Sequence, residues 1–349
     1  MARRLKLTKF KDVPLQDPFF DSLKAGYPAD FEKWFDSKKD EDVYIVVDDA
    51  EELSGMLYLK KEIGEVVDVV PTLPAKNWLK VGTLKIDGRG TRLGERVVKK
   101  IFDTAINEGS DGVYVTVFKV HTHLIRMLKR YGFTEWGTKT TKNGTEQVYR
   151  RDLDTFANDM IKDYPFISTR GKNHWLLAIK PKWHTQLLPD SILRNEPIEI
   201  VQDVSHTNTI HKVYISGVSF DGIQRGDTIT FYRTADRYPA HHRSVVTSVC
   251  VVEEVRKRSD FFDEEAFVRY CKPRSVYTED ELREQWRGRG ILSVAKMTYN
   301  VAFNKRLTRG LLIDEIAMRA SYWVLLKIDK DQFNRIVELG KVNARLIVD

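Results

Sequence analysis

"DGRGTRLGERVVKKIFDTA", residues 87–105, sets Gly88, Arg89, Gly90 and Arg92 directly ahead of a long amphipathic run. Leu93, Val97, Val98, Ile101, Phe102, Ala105 and Ile106 follow at the spacing of one buried helix face. The run therefore predicts a helix entered through a basic, glycine-rich turn. A helix start exposes four unpaired N–H groups and carries about half a positive charge. Glycines before it let the backbone approach a phosphate closely, and Arg89 and Arg92 add whole charges, which together make a pyrophosphate cradle. The plainer reading is a strand-to-helix connection that needs glycine for its dihedrals and carries arginines because it is exposed. The flanks decide between the two.

Upstream, a strand at Leu5–Phe10 precedes helices at Pro18–Lys24 and Ala29–Lys38. "VYIVVDDAEELSGMLYLKKE" reads as two antiparallel strands around an acidic turn, and "NWLKVGTLKID" as another strand. Downstream, "GVYVTVF" is a buried strand and "HTHLIRMLKRYGF" a short helix ending at glycine. "TEWGTKTTKNGTEQVYRRDL" is a hairpin around Asn143–Gly144. The predicted order is strand, two helices, three strands, helix, strand, helix, two strands.

The totals are those of an ordinary globular chain of two domains: 349 residues, 42% hydrophobic and 31% charged. No apolar stretch reaches the roughly 20 residues of a membrane span, and the N-terminus lacks the apolar core of a secretory signal. Cys250 and Cys271 are too few for a disulfide framework or a zinc ribbon, and His241-His242 has no partner cluster, so no metal is expected. A reducing cytoplasm fits this usage. The net charge of +7 points to polyanionic partners.

The element order, the basic turn and "LIRMLKRYGF" (residues 124–133) resemble the GCN5-related N-acetyltransferase (GNAT) family over residues 3–153. In that family the turn follows R/Q-x-x-G-x-G/A; here it is Arg89-Gly90-Thr91-Arg92-Leu93-Gly94, with Arg92 in the place of the central glycine. The resemblance implies a mixed α/β sheet and acetyl-CoA as cofactor. It would be held by the backbone at Leu84 and Ile86 and by Arg89, Gly90, Thr91, Arg92, Leu93 and Gly94. Many relatives carry a tyrosine general acid four residues before the Gly-Phe glycine, where this chain has Leu128. A thiolate can leave without an acid, since its pKa is only about 8.5. Tyr131 lies near that slot, and His121, His123, Glu65, Asp68 and Asp87 are further acid–base candidates; His121, Asp87 and Tyr131 are taken as the catalytic set.

Residues 154–172 read as a polar linker, with a connecting helix possible at Thr155–Tyr164. From 173 to 349 the chain is rich in short strands, with helices at "DEEAFVRYC", "TEDELREQW" and "KDQFNRIVELG". "RGDTITFYR" and "KPRSVYTEDEL" resemble the PUA-like group that includes ASCH and EVE domains. That resemblance implies a β-barrel with peripheral helices that binds RNA, tRNA or modified DNA. Lys212, Arg233, Arg237, His241, His242, Arg243, Lys272 and Arg274 would contact phosphates, and Tyr214, Tyr232, Tyr238, Tyr277 and Trp286 would stack on bases. Cys271 beside Lys272 has a setting that can lower a thiol pKa, yet no paired histidine is evident, so it is set aside as a nucleophile.

The fold class expected is thus α+β: a GNAT-like domain over 1–153, a linker over 154–172, and a PUA-like barrel over 173–349. The expected function is acetyl-CoA-dependent N-acetylation of an amine, with nucleic acid recognised by the second domain. The competing readings are a nucleic-acid or modified-base binder with a degenerate transferase fold, and a protein or small-molecule acetyltransferase.

Overall fold

The computed structural model describes residues 3–28, 30–87, 92–191 and 209–349. The chain divides into two compact units between Asp163 and Tyr164.

The first unit is a seven-stranded sheet with strand order β1-β2-β3-β4-β5-β7-β6. Its strands are β1 Arg3–Lys9, β2 Asp42–Asp48, β3 Leu53–Val66, β4 Leu73–Ile86, β5 Gly112–Val117, β6 Thr134–Thr141 and β7 Gly144–Asp152. Neighbours are antiparallel except β4 and β5. A parallel pair needs a crossover of a dozen or more residues, and helix α3 (Leu93–Asn107) supplies it. Every apolar position of the predicted stripe on α3 is buried.

Period-2 alternation settles which side each helix covers. Val43, Ile45, Val47, Met56 and Tyr58 pack against Phe10, Phe19, Phe20, Phe31 and Phe35, from the segment holding α1 (Asp21–Gly26) and α2 (Phe31–Ser37). Tyr44 points to the opposite side, where Lys100 of α3 sits 4.6 Å from its ring centre. The sheet is covered by α1 and α2 on one face and by α3 on the other.

No helix forms at 155–164. Asp159 accepts hydrogen bonds from the Ile161 and Lys162 amides, and Asp163 from those of Ala157 and Asp159. These side-chain bonds hold the segment in turns, the usual way short carboxylates compete with a helix.

The second unit contains β8 (Ile167–Ser168), β9 (His174–Ile179), α5 (Pro181–Leu187), β10 (His211–Ser216), β11 (Thr228–Arg233) and α6 (Ala240–Arg243). It continues with β12 (Val245–Lys257), α7 (Glu264–Cys271), α8 (Glu279–Arg287), β13 (Ser293–Thr308), α9 (Arg309–Asp314), β14 (Leu325–Ile328), α10 (Lys330–Leu339) and β15 (Ile347–Val348). Six strands form one sheet in the order β10-β13-β12-β11-β9-β14. The expected barrel is not closed: among the described residues no ladder joins β10 to β14. The pairing of β12 with β13 shifts register at three places, and such bulges curl a sheet without sealing it.

Two buried groups make this unit acid-sensitive. Burial pushes the His184 imidazole down to about 3, with Arg233 and Arg306 adding to the effect, and its Nε2 meets Thr247 Oγ1 at 2.8 Å. Burial pushes the Glu253 carboxyl up, but His211 and Lys296 (2.8 Å) outweigh it and bring it down to about 2. Both folded pKa values lie below their unfolded ones, so the unfolded chain binds more protons on acidification and stability is lost as pH falls. The urea midpoint of the second transition is expected to hold above pH ~6.5, decline below it, and decline more steeply below pH ~4.5. His184→Leu should shrink the upper limb, the remainder coming from buried His174, whose imidazole burial also pushes down; a midpoint that is flat from pH 7 to 5 in the wild type would refute this.

Candidate active site

The β4–β5 ladder ends at Val81↔Val115. Beyond it β4 runs on to Ile86 paired only with β3, and β5 runs on to Val117 paired only with β7. Among the described residues, the edge of β4 from 82 to 86 that faces β5 has no partner strand. Two parallel strands that part in this way leave backbone N–H and C=O groups lining a cleft. Leu84 and Ile86 are half-buried, and their register with Leu57 and Gly55 puts them on the α3 face.

The cleft leads toward the start of α3. Arg92 is the N-cap, with φ 57° and ψ 13°, the left-handed region that side chains seldom occupy. The backbone has thus taken a glycine-like conformation where the family's central glycine would stand. Leu93 is buried, so only its backbone is available to a ligand. A Cβ on Gly94 would lie 2.6 Å from Met127 Sδ; this glycine serves the close approach of helix α4 (Thr122–Arg130). The expected contacts Arg89, Gly90 and Thr91 lie outside the described residues.

On the α1/α2 face the opening is walled by groups that the sequence reading did not single out. Tyr27, between α1 and α2, donates its hydroxyl to Glu146 Oε1 at 2.7 Å. Its ring lies 5.3 Å from that of Phe118, which follows β5. Asp30 pairs with Lys142 at 2.6 Å, tying the same loop to the β6–β7 turn. Glu146 is 5% exposed. Three other tyrosine–carboxylate pairs occur in this unit, and each carboxylate also has a lysine; Glu135, which accepts from Tyr149, lies 4.0 Å from Lys129. Glu41 holds Tyr58 and Lys38, while Glu62 holds Tyr114, Lys60 and Lys80. Glu146 makes no ion pair among the described residues, and its cross-strand neighbour Lys139 turns to Asp68 instead. A buried carboxylate without a cation is costly to keep, and it is the group this face offers to an incoming ammonium. Burial, and then the bond to Glu146, push the Tyr27 hydroxyl well above its usual pKa, so it stays a donor.

The expected catalytic residues are not brought together. His121 is exposed at the N-cap of α4, while Tyr131 caps the other end, about 15 Å along a helix of this length. Tyr131 is also 1% exposed. Asp87 is exposed and paired with Lys85 at 3.2 Å. Leu128 is fully buried, so no acid stands at that slot.

In the second unit the expected phosphate contacts sort by accessibility. Lys212 and Arg233 are 1% and 5% exposed, carried inward by β10 and β11, and Lys212 lies over the Tyr299 ring. Tyr232 is buried against Trp323. Arg243 binds Asp236 through two bonds of 2.8 and 2.9 Å. Exposed Lys272 pairs with Glu279, and Arg274 is half-buried, its carbonyl accepting from the Val213 amide. Burial pushes the Cys271 thiol up to about 12, the opposite of an activated thiol.

No helix among the described residues is long and apolar enough to cross a membrane. No family model matches the sequence, and no curated protein does. Solved structures similar to parts of the chain include ASCH and acetyltransferase folds. ASCH from Zymomonas mobilis is 11% identical, over 48% of this chain and 94% of its own, with a TM-score of 0.34. A GCN5-related N-acetyltransferase from Kribbella flavida is 16% identical, over 43% of this chain and 98% of its own, with a TM-score of 0.34. The IAA acetyltransferase from Bacillus cereus ATCC 14579 is 9% identical, over 43% and 99%, with a TM-score of 0.33.

Proposed function

We propose that the first unit is an acetyl-CoA-dependent N-acetyltransferase. The observation that carries this reading is the parting of β4 and β5 after Val81 and Val115, beside the start of α3. Unpaired backbone along 82–86 suits the amides of a pantetheine arm, and the helix start with Arg92 suits its pyrophosphate. Acetyl-CoA supplies an activated acyl carbon and a thiolate able to leave unassisted.

The chain's own part is positioning and proton transfer. Glu146 attracts the acceptor ammonium and takes its proton, directly or through one water, freeing the nitrogen lone pair for the acyl carbon. Tyr27 holds the carboxylate in place. The new N–C bond forms as the C–S bond breaks; the surplus proton left on nitrogen passes to the departing thiolate, directly or through water, and Glu146 returns its own proton to solvent. Glu146 thereby replaces His121, Asp87 and Tyr131 as the base. The second unit, in this reading, recognises nucleic acid, so that the acceptor is an amine on RNA, tRNA or modified DNA.

Isothermal titration with acetyl-CoA is expected to show one site. Arg92→Glu should weaken it about tenfold, the size of one charge-assisted contact. Absence of heat with the wild type, or equal affinity in the variant, would remove the donor assignment.

A further inference from the structure

Two adjoining hollows of about 360 and 450 Å³ open on the second unit and share Arg309 and Trp323. The first is bounded by the end of β11, by α6 and by the start of α9; the second lies along the segment from α9 to Trp323. The walls are tied together. The Arg309 amide donates to the Ser244 carbonyl at 2.9 Å, the Arg309 guanidinium lies 4.7 Å from the Trp323 ring centre, and Tyr232 and Trp323 rings are 5.5 Å apart. Segment 309–323 lies outside both sequence motifs of the PUA-like resemblance.

The charge of the hollows is one-sided. Arg237, Arg309 and Arg319 line them, and none forms an ion pair among the described residues. The one carboxylate in the lining, Asp236, is already held by Arg243, whose hydrogen bond and charge keep it well below the usual carboxylate range. At the rim, the Tyr238 ring is 92% exposed. Guanidinium groups without counter-ions beside an open aromatic ring suit a phosphate joined to a planar base. Each hollow has the volume of a small-ligand site.

We infer that these hollows take nucleotide units of a single-stranded nucleic acid, with phosphates on Arg309, Arg319 and Arg237 and a base on Tyr238. The inference rests on the reading of the second unit as a nucleic-acid binder and needs nothing from the transferase. The full chain is titrated against fluorescein-labelled U6 and dT6, with unlabelled AMP as a separate arm. Arg319→Glu and Tyr238→Ala alter exposed side chains and should leave the unfolding midpoint unchanged. Tyr238→Ala is expected to weaken hexamer binding about 5- to 150-fold, the range of one lost stack. Arg319→Glu should weaken it at least tenfold and make the log–log salt slope shallower by about 0.7. Arg309→Lys should bind better than Arg309→Glu. Wild-type affinity in both exposed variants would overturn the site while leaving nucleic-acid binding by the unit intact; absence of any hexamer binding at low salt would overturn both. Binding of AMP as tightly as the hexamers would overturn the single strand as the source of the nucleotide.

Discussion

Glu146→Gln is expected to lower the rate of acetyl transfer about 10²- to 10⁴-fold, the usual contribution of a positioned general base, while acetyl-CoA affinity stays unchanged. Glutamine keeps the size of the side chain and can still accept from Tyr27, so the hairpin should fold as before. It loses both the proton-accepting oxygen and the negative charge that draws in an ammonium. The measurement is release of the CoA thiol with whichever primary amine the wild type acetylates, together with a titration of acetyl-CoA. Tyr27→Phe separates positioning from proton transfer. It removes only the hydrogen bond that holds the carboxylate in place, so the rate should fall far less than in Glu146→Gln, with acetyl-CoA affinity unchanged. Full activity in Glu146→Gln would assign the base elsewhere, with His121 the next candidate at its exposed helix start.

The second large effect concerns stability. Gly132 follows α4 with φ +82°, and a Cβ there would lie 2.3 Å from the Lys162 carbonyl oxygen and 2.9 Å from Arg151 Nε. Arg151 has little freedom to retreat, since it is buried and donates to the Asp152 and Thr155 carbonyls. Gly132→Ala combines a left-handed backbone penalty of about 1–3 kcal/mol with an overpacking penalty of similar size. The sum of about 2–6 kcal/mol should lower the first unit's Tm by roughly 10 °C. Gly132→Asn tests the cause. Asparagine tolerates the left-handed region but still carries a Cβ, so it should recover only part of the loss. A Gly132→Ala protein that melts with the wild type would mean that the backbone there relaxes freely.

Local pattern carried most of the first unit. The stripe on α3, the alternation of β2 and the dense β5 each obey a single period, and periods are visible in sequence. The turns at 157–163 were not legible in the same way, because whether Asp159 and Asp163 bond to the backbone or face water depends on geometry rather than composition. Glu146 was missed for a related reason. It stands in "GTEQVYRR", a hairpin stretch that looks solvated, and its burial comes from Tyr27, 119 positions away. Lys212 shows the converse error. A lysine beside tyrosines reads as a phosphate contact, yet the pairing of β10 with β13 carries it inward. The curl of the second sheet without closure likewise depends on where bulges fall along β12 and β13, which residue types alone do not specify.

The tethering of the α1–α2 loop by Tyr27 and Asp30 has an evolutionary corollary. One wall of the site is main chain, indifferent to most substitutions, whereas the opposite wall is a handful of side chains on a single short loop and the hairpin it clasps. If the first unit transfers an acyl group as proposed, replacing that loop would retune which amines are admitted without rebuilding the scaffold for the acyl carrier, so descendants of this chain could diverge in diet while sharing one donor.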